Sequence, residues 1–434
     1  MAVSSRIVSP PLRIAWLVYR GNPHCGGQGV YSRYVAREVA ALGHHIEVFS
    51  GQPWPELDDP DQLVKVPGLD LYRSPDPFRI PRPSEFRTTI DAGEFAIMCS
   101  AGFPEPWAFS QRVRRLLAAR RDDFDLVHDN QCLGSGVAGL IADGWPVTAT
   151  IHHPITVDRE LDLAHATTWR RKIAMRRWYG FLGMQMQVAA QIPRIVTVSE
   201  SSRRDIADQM HVPYERMSVV PVGVDKAIFR PLPHISRVPG RLMTTASADV
   251  PLKGLPDLLE ALAKARVEQP LAHLVVIGRM KEGSAVPALI GRLGLEGAVQ
   301  FVSGVTEERI VELYAEAEVA VVPSLYEGFS LPAIEAMACG VPVLATTGGA
   351  LPEVVGPNGV SARTVPTSDP SALASAIVEL LGDPHQRARL GASGRERVLD
   401  RFTWHACARG MVETWQAELD EREATLPSGS HAHG

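Results

Sequence analysis

Short apolar runs alternate with longer amphipathic stretches along both halves of the chain, and this alternation limits the fold more than any other feature. It is the pattern that βαβ units produce: strands buried on both faces need continuous apolar sequence, while each crossover helix needs only one apolar face. Strands are predicted at residues 13–18, 45–50, 126–128, 147–152 and 194–198, and again at 241–246, 274–277, 299–302, 319–323 and 341–345. Each set makes its own doubly wound parallel sheet. A length of 434 residues also exceeds what one core ordinarily holds. The expected organisation is a first domain at residues 1–225, a linker at 226–240 interrupted by Pro231, Pro233 and Pro239, and a second domain at 241–401. Residues 51–110 read as an insertion with short helices. A helix at 402–422 is expected to pack back on the first domain, followed by a disordered polar tail at 426–434.

Charge is divided unevenly. Residues 1–225 carry 25 Lys+Arg and 25 Asp+Glu, and residues 226–434 carry 19 and 24, so the whole net charge of -5 lies in the second half. Neither half is basic overall, and no nucleic-acid partner is expected. Only six of the 44 cations are lysine, which fits a high-GC bacterial genome. The five cysteines are widely spaced without a CxxC, so neither a disulfide framework nor a zinc site is indicated and a reduced, cytoplasmic setting is expected. Residues 14–19 are too short for a secretory apolar region and read as the first strand. No apolar run of about 18 residues occurs, so no transmembrane helix is expected.

The loop Gly26-Gly27-Gln28-Gly29 follows the first predicted strand and leads into a helix. Glycines there let a phosphate approach the backbone and the helix N-terminus behind it, although a ligand-free tight turn explains them equally well. Ser32 stands where a dinucleotide fingerprint needs its third glycine, and Glu47 falls within a strand. A nicotinamide dehydrogenase is therefore disfavoured. More specific is Pro323-Ser-Leu-Tyr-Glu327-Gly-Phe-Ser330-Leu-Pro-Ala-Ile-Glu335-Ala-Met-Ala-Cys-Gly340. The first carboxylate falls on a loop and the second on a helix, with the Gly328, Phe329 and Ser330 amides at the helix N-terminus, where an anion is favoured. The bland alternative is a solvated pair of glutamates at a helix start.

This segment resembles the Glu-x7-Glu signature of retaining family-4 glycosyltransferases, a group that includes actinobacterial phosphatidylinositol mannosyltransferases and glycogen- and sucrose-type transferases. The resemblance runs over nearly the whole chain. It takes in the glycine loop, Asp125-Leu-Val-His128, Thr150-Ile-His152, Val196-Thr-Val-Ser199-Glu200, Val220-Pro-Val-Gly223-Val-Asp225, Pro251-Leu-Lys253-Gly254 and Gly348-Gly349-Ala-Leu-Pro352-Glu353. It implies the GT-B fold, an α/β architecture of two Rossmann-like domains facing each other across a cleft, with the second binding the donor. It also implies transfer of a hexose from a nucleotide diphosphate sugar to an acceptor hydroxyl, with retention, no metal and no other cofactor. By resemblance, Glu335 holds the ribose hydroxyls, Glu327 with Gly328, Phe329 and Ser330 contacts the transferred sugar, and His152 faces the anomeric centre. Lys253 clamps the diphosphate, Gly26 and Gly27 lie beside the same phosphates or the acceptor, and Ser303 and Gly304 offer backbone to the base. His128 and His153 are expected to be structural, Ser199 a helix cap, and Asp225 a turn organiser.

The chain departs from the family pattern at Ser247, where an arginine usually joins the lysine at the diphosphate. A serine hydroxyl cannot replace a bidentate guanidinium, so another cation such as Arg279 is needed, or the helix dipole and Lys253 suffice. The departure keeps open a degenerate sugar-nucleotide-binding protein. A sugar-nucleotide epimerase is the other alternative. On the acceptor side, two basic helical stretches, one with Arg112, Arg114, Arg115, Arg120 and Arg121, the other with Arg170, Arg171, Lys172, Arg176 and Arg177, suit peripheral contact with anionic lipid. The acceptor implied is a cell-envelope glycolipid or glycan precursor.

Overall fold

Ile14, Ala15, Trp16, Leu17 and Val18 are almost wholly removed from solvent, which is the signature of a strand covered on both faces. In the computed structural model, which describes residues 10–22, 27–73, 75–166, 168–245, 251–280 and 284–425, this run is the centre of a parallel sheet. The chain packs as two units. One comprises residues 1–197, 203–220 and 407–434, the other residues 198–202 and 221–406. The first contains β1 (Arg13–Val18), β2 (His45–Ser50), β3 (Leu63–Lys65), β4 (Leu126–Asn130), β5 (Val147–Ile151), β6 (Arg194–Thr197) and β7 (Met217–Val219). Their order is β3-β2-β1-β4-β5-β6-β7. The second contains β8 (Arg241–Thr245), β9 (His273–Ile277), β10 (Val299–Val302), β11 (Val319–Val322), β12 (Val343–Thr346) and β13 (Arg363–Val365), ordered β10-β9-β8-β11-β12-β13.

All named strand pairs are parallel, so every strand of a sheet delivers its following loop to one edge. In each sheet the winding reverses once, between β1 and β4 in the first and between β8 and β11 in the second. Ligands of open α/β sheets bind at such reversals, outside the carboxyl ends of the strands. The cores are conventional: Val127, Val147, Ala149, Ile151 and Ile195 meet Val113, Leu117 and Leu140 in one unit. Leu242, Leu274, Val276, Val319 and Leu344 meet Leu258, Leu262 and Ile377 in the other.

Several boundaries differ from expectation. Residues 226–240 are no free linker. Arg237 reaches the carbonyl of Gly340 at 3.1 Å and that of Ala317, and Val238 N donates to Glu316 O at 2.8 Å, which fastens the segment to the second unit. Residues 221–225 join that unit too, because Val224 N donates to Phe402 O and a Cβ at Gly223 would lie 2.2 Å from Trp404 N. The twelfth strand begins at Val343 rather than 341, after Pro342, which has no N–H for a ladder. The last helix is Trp404–Thr425, and its residues from Cys407 onward belong to the first unit. There Trp415, fully buried, donates Nε1–H to His128 Nδ1 at 3.0 Å. The tail at 426–434 lies outside the described residues. Within residues 51–110 the insertion holds β3 and the helix Thr89–Cys99, and Glu105–Ala118 follows.

Candidate functional site

At the reversal in the second sheet, β8 and β11 lie side by side and their loops carry Lys253 and Glu327. The turn Pro251–Lys253 is pressed onto the loop after β11 at Gly254, whose φ is 62° and where a Cβ would lie 2.0 Å from Pro323 O. Only glycine fits that contact. Leu325 N donates to Leu252 O at 2.8 Å, which completes the tie. Lys253 Nζ then donates to Glu327 Oε1 at 2.8 Å, and Ser324 Oγ donates to the same oxygen at 2.6 Å. The lysine side chain is 33% exposed and the glutamate 11%, so the pair faces a partly solvated surface from below.

Neighbouring loops brace this pair. Gly349, φ 58°, lies so close to Glu327 that a Cβ would stand 2.3 Å from its carbonyl oxygen, and Ala350 N donates to that oxygen at 2.8 Å. Ser199 Oγ donates to Gly328 O at 2.7 Å and Ser202 Oγ to the same carbonyl at 3.1 Å. Ser199 also accepts from Ser202 N at 3.0 Å, as a helix cap does. Ser330 precedes the helix Leu331–Ala338 at φ 98°, a left-handed geometry that a non-glycine residue rarely holds, and its buried Oγ has no hydrogen-bond partner among the described residues. Phe329 packs edge-on to Phe402 at 5.4 Å. Glu335 lies on that helix, where burial and the nearby Glu307 push its carboxyl up to about 7, against a hydrogen bond from Tyr314 that favours the ionised form. Arg279, exposed after β9, is one strand from the reversal; Ser303 and Gly304, exposed after β10, are two. Ser247 lies outside the described residues.

Among the described residues the corresponding reversal in the first sheet holds no cation: it is built from uncharged hydrogen-bonding groups and one buried carboxyl, Asp129, which burial pushes up to about 7. Gly27 caps the helix Gln28–Ala41 at φ 75°, with open space where a Cβ would stand, and Gly26 lies outside the described residues. Ser32 Oγ accepts from Trp16 Nε1 at 3.0 Å and from Asn130 Nδ2 at 3.4 Å. With Asn130 so oriented, its Oδ1 accepts from His152 Nε2 at 2.9 Å, which places the imidazole proton on Nε2. Gln131 clamps the backbone around the histidine, accepting from His152 N and donating to His153 O, both at 2.7 Å. Burial, helped by His153, pulls the His152 pKa down to about 3, so the ring is neutral. His128 is neutral for the same reason and is held by Thr148, Thr150 and Trp415.

Lys253, Glu327, Gly328, Phe329, Ser330 and Glu335 therefore gather on one pair of adjoining loops with their helix, while Arg279, Ser303 and Gly304 line the same sheet edge further out. Sequence reasoning missed Ser324, Tyr314, Asn130 and Gln131. Ser324 and Asn130 stand at or just past strand ends, a placement that could have marked them; Tyr314 sits within a helix and gives no local sign. The two basic helices diverge. Arg112 pairs with Asp91 at 2.6 Å and with Glu94, Arg114 with Asp143 at 2.7 Å, and Arg120 with Glu47 at 2.8 Å, while Arg121 covers Trp145 at 4.1 Å. Most of that stretch is thus engaged within its own unit. The helix Trp169–Trp178 instead buries no residue, and Trp169 is 68% exposed. Among the described residues no helix is long and apolar enough to cross a membrane.

The family model for Glycosyltransferase Family 4 matches residues 25–227, and that for glycosyl transferases group 1 matches residues 237–397. A relative from Mycolicibacterium hassiacum, an MMP alpha-(1→4)-mannosyltransferase, is 51% identical over 94% of this chain and 98% of its own. A D-inositol 3-phosphate glycosyltransferase from Kineococcus radiotolerans is 30% identical over 94% of each chain. Among solved structures, sucrose-phosphate synthase from Thermosynechococcus elongatus superposes with a TM-score of 0.72 at 23% identity, covering 94% of this chain and 100% of that one. HepE from Anabaena in complex with UDP-glucose gives 0.67 at 17%, with 94% and 100% covered.

Proposed function

The chain belongs to the family-4 glycosyltransferases of the GT-B fold, and from that premise we propose that it transfers a mannosyl group from a nucleotide diphosphate mannose to the 4-hydroxyl of a sugar acceptor, retaining anomeric configuration and needing no divalent metal. That it is a glycosyltransferase follows from its relatives, which are transferases over the full length rather than epimerases or binding proteins. The sugar and the linkage are taken from the M. hassiacum relative. The observation that carries the chemistry is the Lys253–Glu327 pair at the second-sheet reversal.

An ammonium has three donors, and Glu327 uses one of them here, which leaves two for diphosphate oxygens. Lys253 thereby stabilises the charge that grows on the departing phosphate, in place of a metal ion. Ser330 Oγ, buried without a partner among the described residues, is satisfied by an oxygen of the sugar nucleotide. Glu327, held by Ser324 and Lys253, accepts from hydroxyls of the transferred sugar, and Glu335 accepts from the vicinal ribose hydroxyls. Neutral His152, fixed by Asn130 and Gln131, orients the sugar. The bond from the anomeric carbon to the phosphate oxygen breaks, a bond to the acceptor oxygen forms on the same face, and the acceptor proton passes to the phosphate.

The test incubates the enzyme with GDP-, UDP- or ADP-mannose and an α-mannoside acceptor in the presence of EDTA. Proton NMR of the product should show a new α-(1→4) linkage. A β-linkage, a requirement for metal, or epimerised donor without transfer would each contradict the proposal. A second reading concerns location. The exposed helix Trp169–Trp178, with Arg170, Arg171, Lys172, Arg176 and Arg177, supports contact with anionic lipid and a glycolipid acceptor. Sedimentation with phosphatidylglycerol vesicles at low and physiological salt tests it; no binding at either salt removes it.

A further inference from the structure

A buried acid that none of the roles above uses stands one residue before Asn130. Asp129 is fully shielded from solvent in β4, where its backbone lies beside Leu17 of β1 and Ala149 of β5. Side chains alternate along a strand, so it points away from the face that His128 and Asn130 share. Its Oδ1 has no hydrogen-bond partner among the described residues, and its Oδ2 accepts from Leu133 N at 2.7 Å. Burial raises the carboxyl pKa against the backbone N–H groups of Leu133 and Cys132, which favour the ionised form. Buried polar atoms without partners are uncommon, and one that persists at this cost calls for a reason.

The reason lies in the turn that Asp129 closes. Gln131 and Leu133 hold φ of 54° and 50°, a left-handed geometry that two non-glycine residues seldom share within three positions. Glycine would take that backbone without steric cost, yet here both side chains are used. Leu133 is fully buried in the first-unit core, which anchors the far end of the turn. Gln131 uses both ends of its amide on one neighbouring segment: Oε1 accepts from His152 N and Nε2 donates to His153 O, each at 2.7 Å. Between them Cys132 is pinned twice, its Sγ–H donating to Pro106 O at 3.2 Å and its carbonyl accepting from Gln185 Nε2 at 3.0 Å. Such strain persists only where surrounding contacts over-determine it, and the Asp129 carboxyl supplies the contact that ties the far side of the turn back to the strand.

We propose that Asp129 is a positioning residue for His152: by accepting from the backbone beyond Gln131 it holds the left-handed turn in the conformation in which the Gln131 amide reaches the histidine. Three consecutive residues then fix one imidazole, Asn130 at the ring, Gln131 at the backbone and Asp129 behind the turn that carries the clamp. Asp129 acts on the ring only through Gln131. The inference rests on the transfer reading, in which His152 orients the sugar, and adds the device that keeps the ring where Asn130 can meet it.

The test compares Asp129→Ala, Asp129→Asn and Gln131→Ala in the full-length enzyme, with whichever of GDP-, UDP- or ADP-mannose supports transfer to an α-mannoside. Asp129→Ala should lower kcat roughly ten- to hundredfold while donor KM stays within about twofold, because a small misplacement of an orienting group costs turnover before it costs binding. Asp129→Asn keeps a carbonyl oxygen for the same N–H groups and should recover kcat to within about threefold of wild type. Gln131→Ala should resemble Asp129→Ala, and the double variant should fall no further than the lower of the two, since both act through one clamp. A second readout needs no turnover. In ¹⁵N-histidine NMR, wild-type His152 should carry its proton on Nε2 and show no titration above about pH 5. Asp129→Ala should mix the tautomers and Asp129→Asn should restore the single one. Wild-type kcat in Asp129→Ala with only a lower thermal midpoint, multiplicative losses in the double variant, or unchanged His152 signals would each overturn the proposal. Where Asp129→Ala does not fold, Gln131→Ala decides, because wild-type kcat and signals in that variant leave Asp129 no clamp to act through. Absence of transfer by the wild-type enzyme would instead count against the transfer reading, with the histidine signals still deciding the role of Asp129.

Discussion

The two sheet reversals occupy equivalent places in equivalent folds, yet one carries a lysine paired with a glutamate and the other carries no cation among the described residues. In the second unit Lys253 and Glu327 meet at 2.8 Å, and the helix that follows carries Glu335, whose buried carboxyl is pushed up to about 7. In the first, Trp16, Ser32, Asn130 and His152 form a chain of neutral hydrogen bonds around a ring that stays unprotonated. The fold brings loops together at a reversal but does not decide their chemistry. A diphosphate calls for a fixed cation, whereas a sugar ring calls for groups whose charge does not change with pH. Removing the cation should therefore have the largest effect. Lys253→Ala is expected to lower kcat/KM roughly 10²- to 10³-fold or more, the scale seen when a transition-state donor is deleted. Near-normal turnover in steady-state assays would break the contrast at its strongest point.

The next expected effect is a pH dependence of donor binding at the second-unit site. With a pKa of about 7, Glu335 is mostly protonated at pH 6 and mostly ionised at pH 8. If only the carboxylate holds both ribose hydroxyls, KM for the donor should fall roughly tenfold over that interval. Glu335→Gln should flatten the profile. A raised carboxyl pKa also means intrinsic stability lost as pH rises from the ordinary carboxyl range through about 7, while tighter donor binding by the carboxylate makes the thermal stabilisation given by donor grow from pH 6 to pH 8. His152, neutral throughout, adds no inflection. Asn130→Ala should leave the profile's shape intact and lower kcat by about tenfold through loss of ring orientation, a cost of the order of one hydrogen bond.

The same contrast explains what could be read from the sequence. The long central strands β1, β2, β8 and β11 were legible because burial on both faces demands unbroken apolar runs. Three of the four edge strands, β3, β7 and β13, were not, since three positions leave no period to detect, whereas the four-residue edge strand β10 was. The Glu-x7-Glu motif gave Glu327 and Glu335 because loop and helix are local. What sequence could not give were pairings between distant residues: Lys253, itself legible as a site residue, lies 74 residues before the Glu327 it binds, and Trp415 lies 287 after the His128 it holds. The expected linker failed similarly, because proline spacing marks irregular backbone but not whether that backbone is packed. Gly254 was visible as part of a motif, yet its reason, the Pro323 carbonyl 2.0 Å from where a Cβ would be, exists only in three dimensions.

The smallest effect tests how complete the charged site is. Ser247 stands where the family usually has an arginine, and Arg279 is one cation that could compensate, the helix dipole with Lys253 being the alternative. Its position favours a minor role: it is exposed, one strand out from Lys253, and shows no ion pair among the described residues. A cation in water near a diphosphate is screened over about 8–10 Å at physiological salt, so Arg279→Ala should raise donor KM only about three- to fivefold, and less at high salt. Restoring the missing guanidinium by Ser247→Arg should then lower donor KM and make the Arg279→Ala change negligible, because the second cation would carry the phosphate contact directly. A loss in Arg279→Ala as large as in Lys253→Ala would mean that the cationic part of the site extends to β9, and the difference between the reversals would then be one of extent as well as of charge.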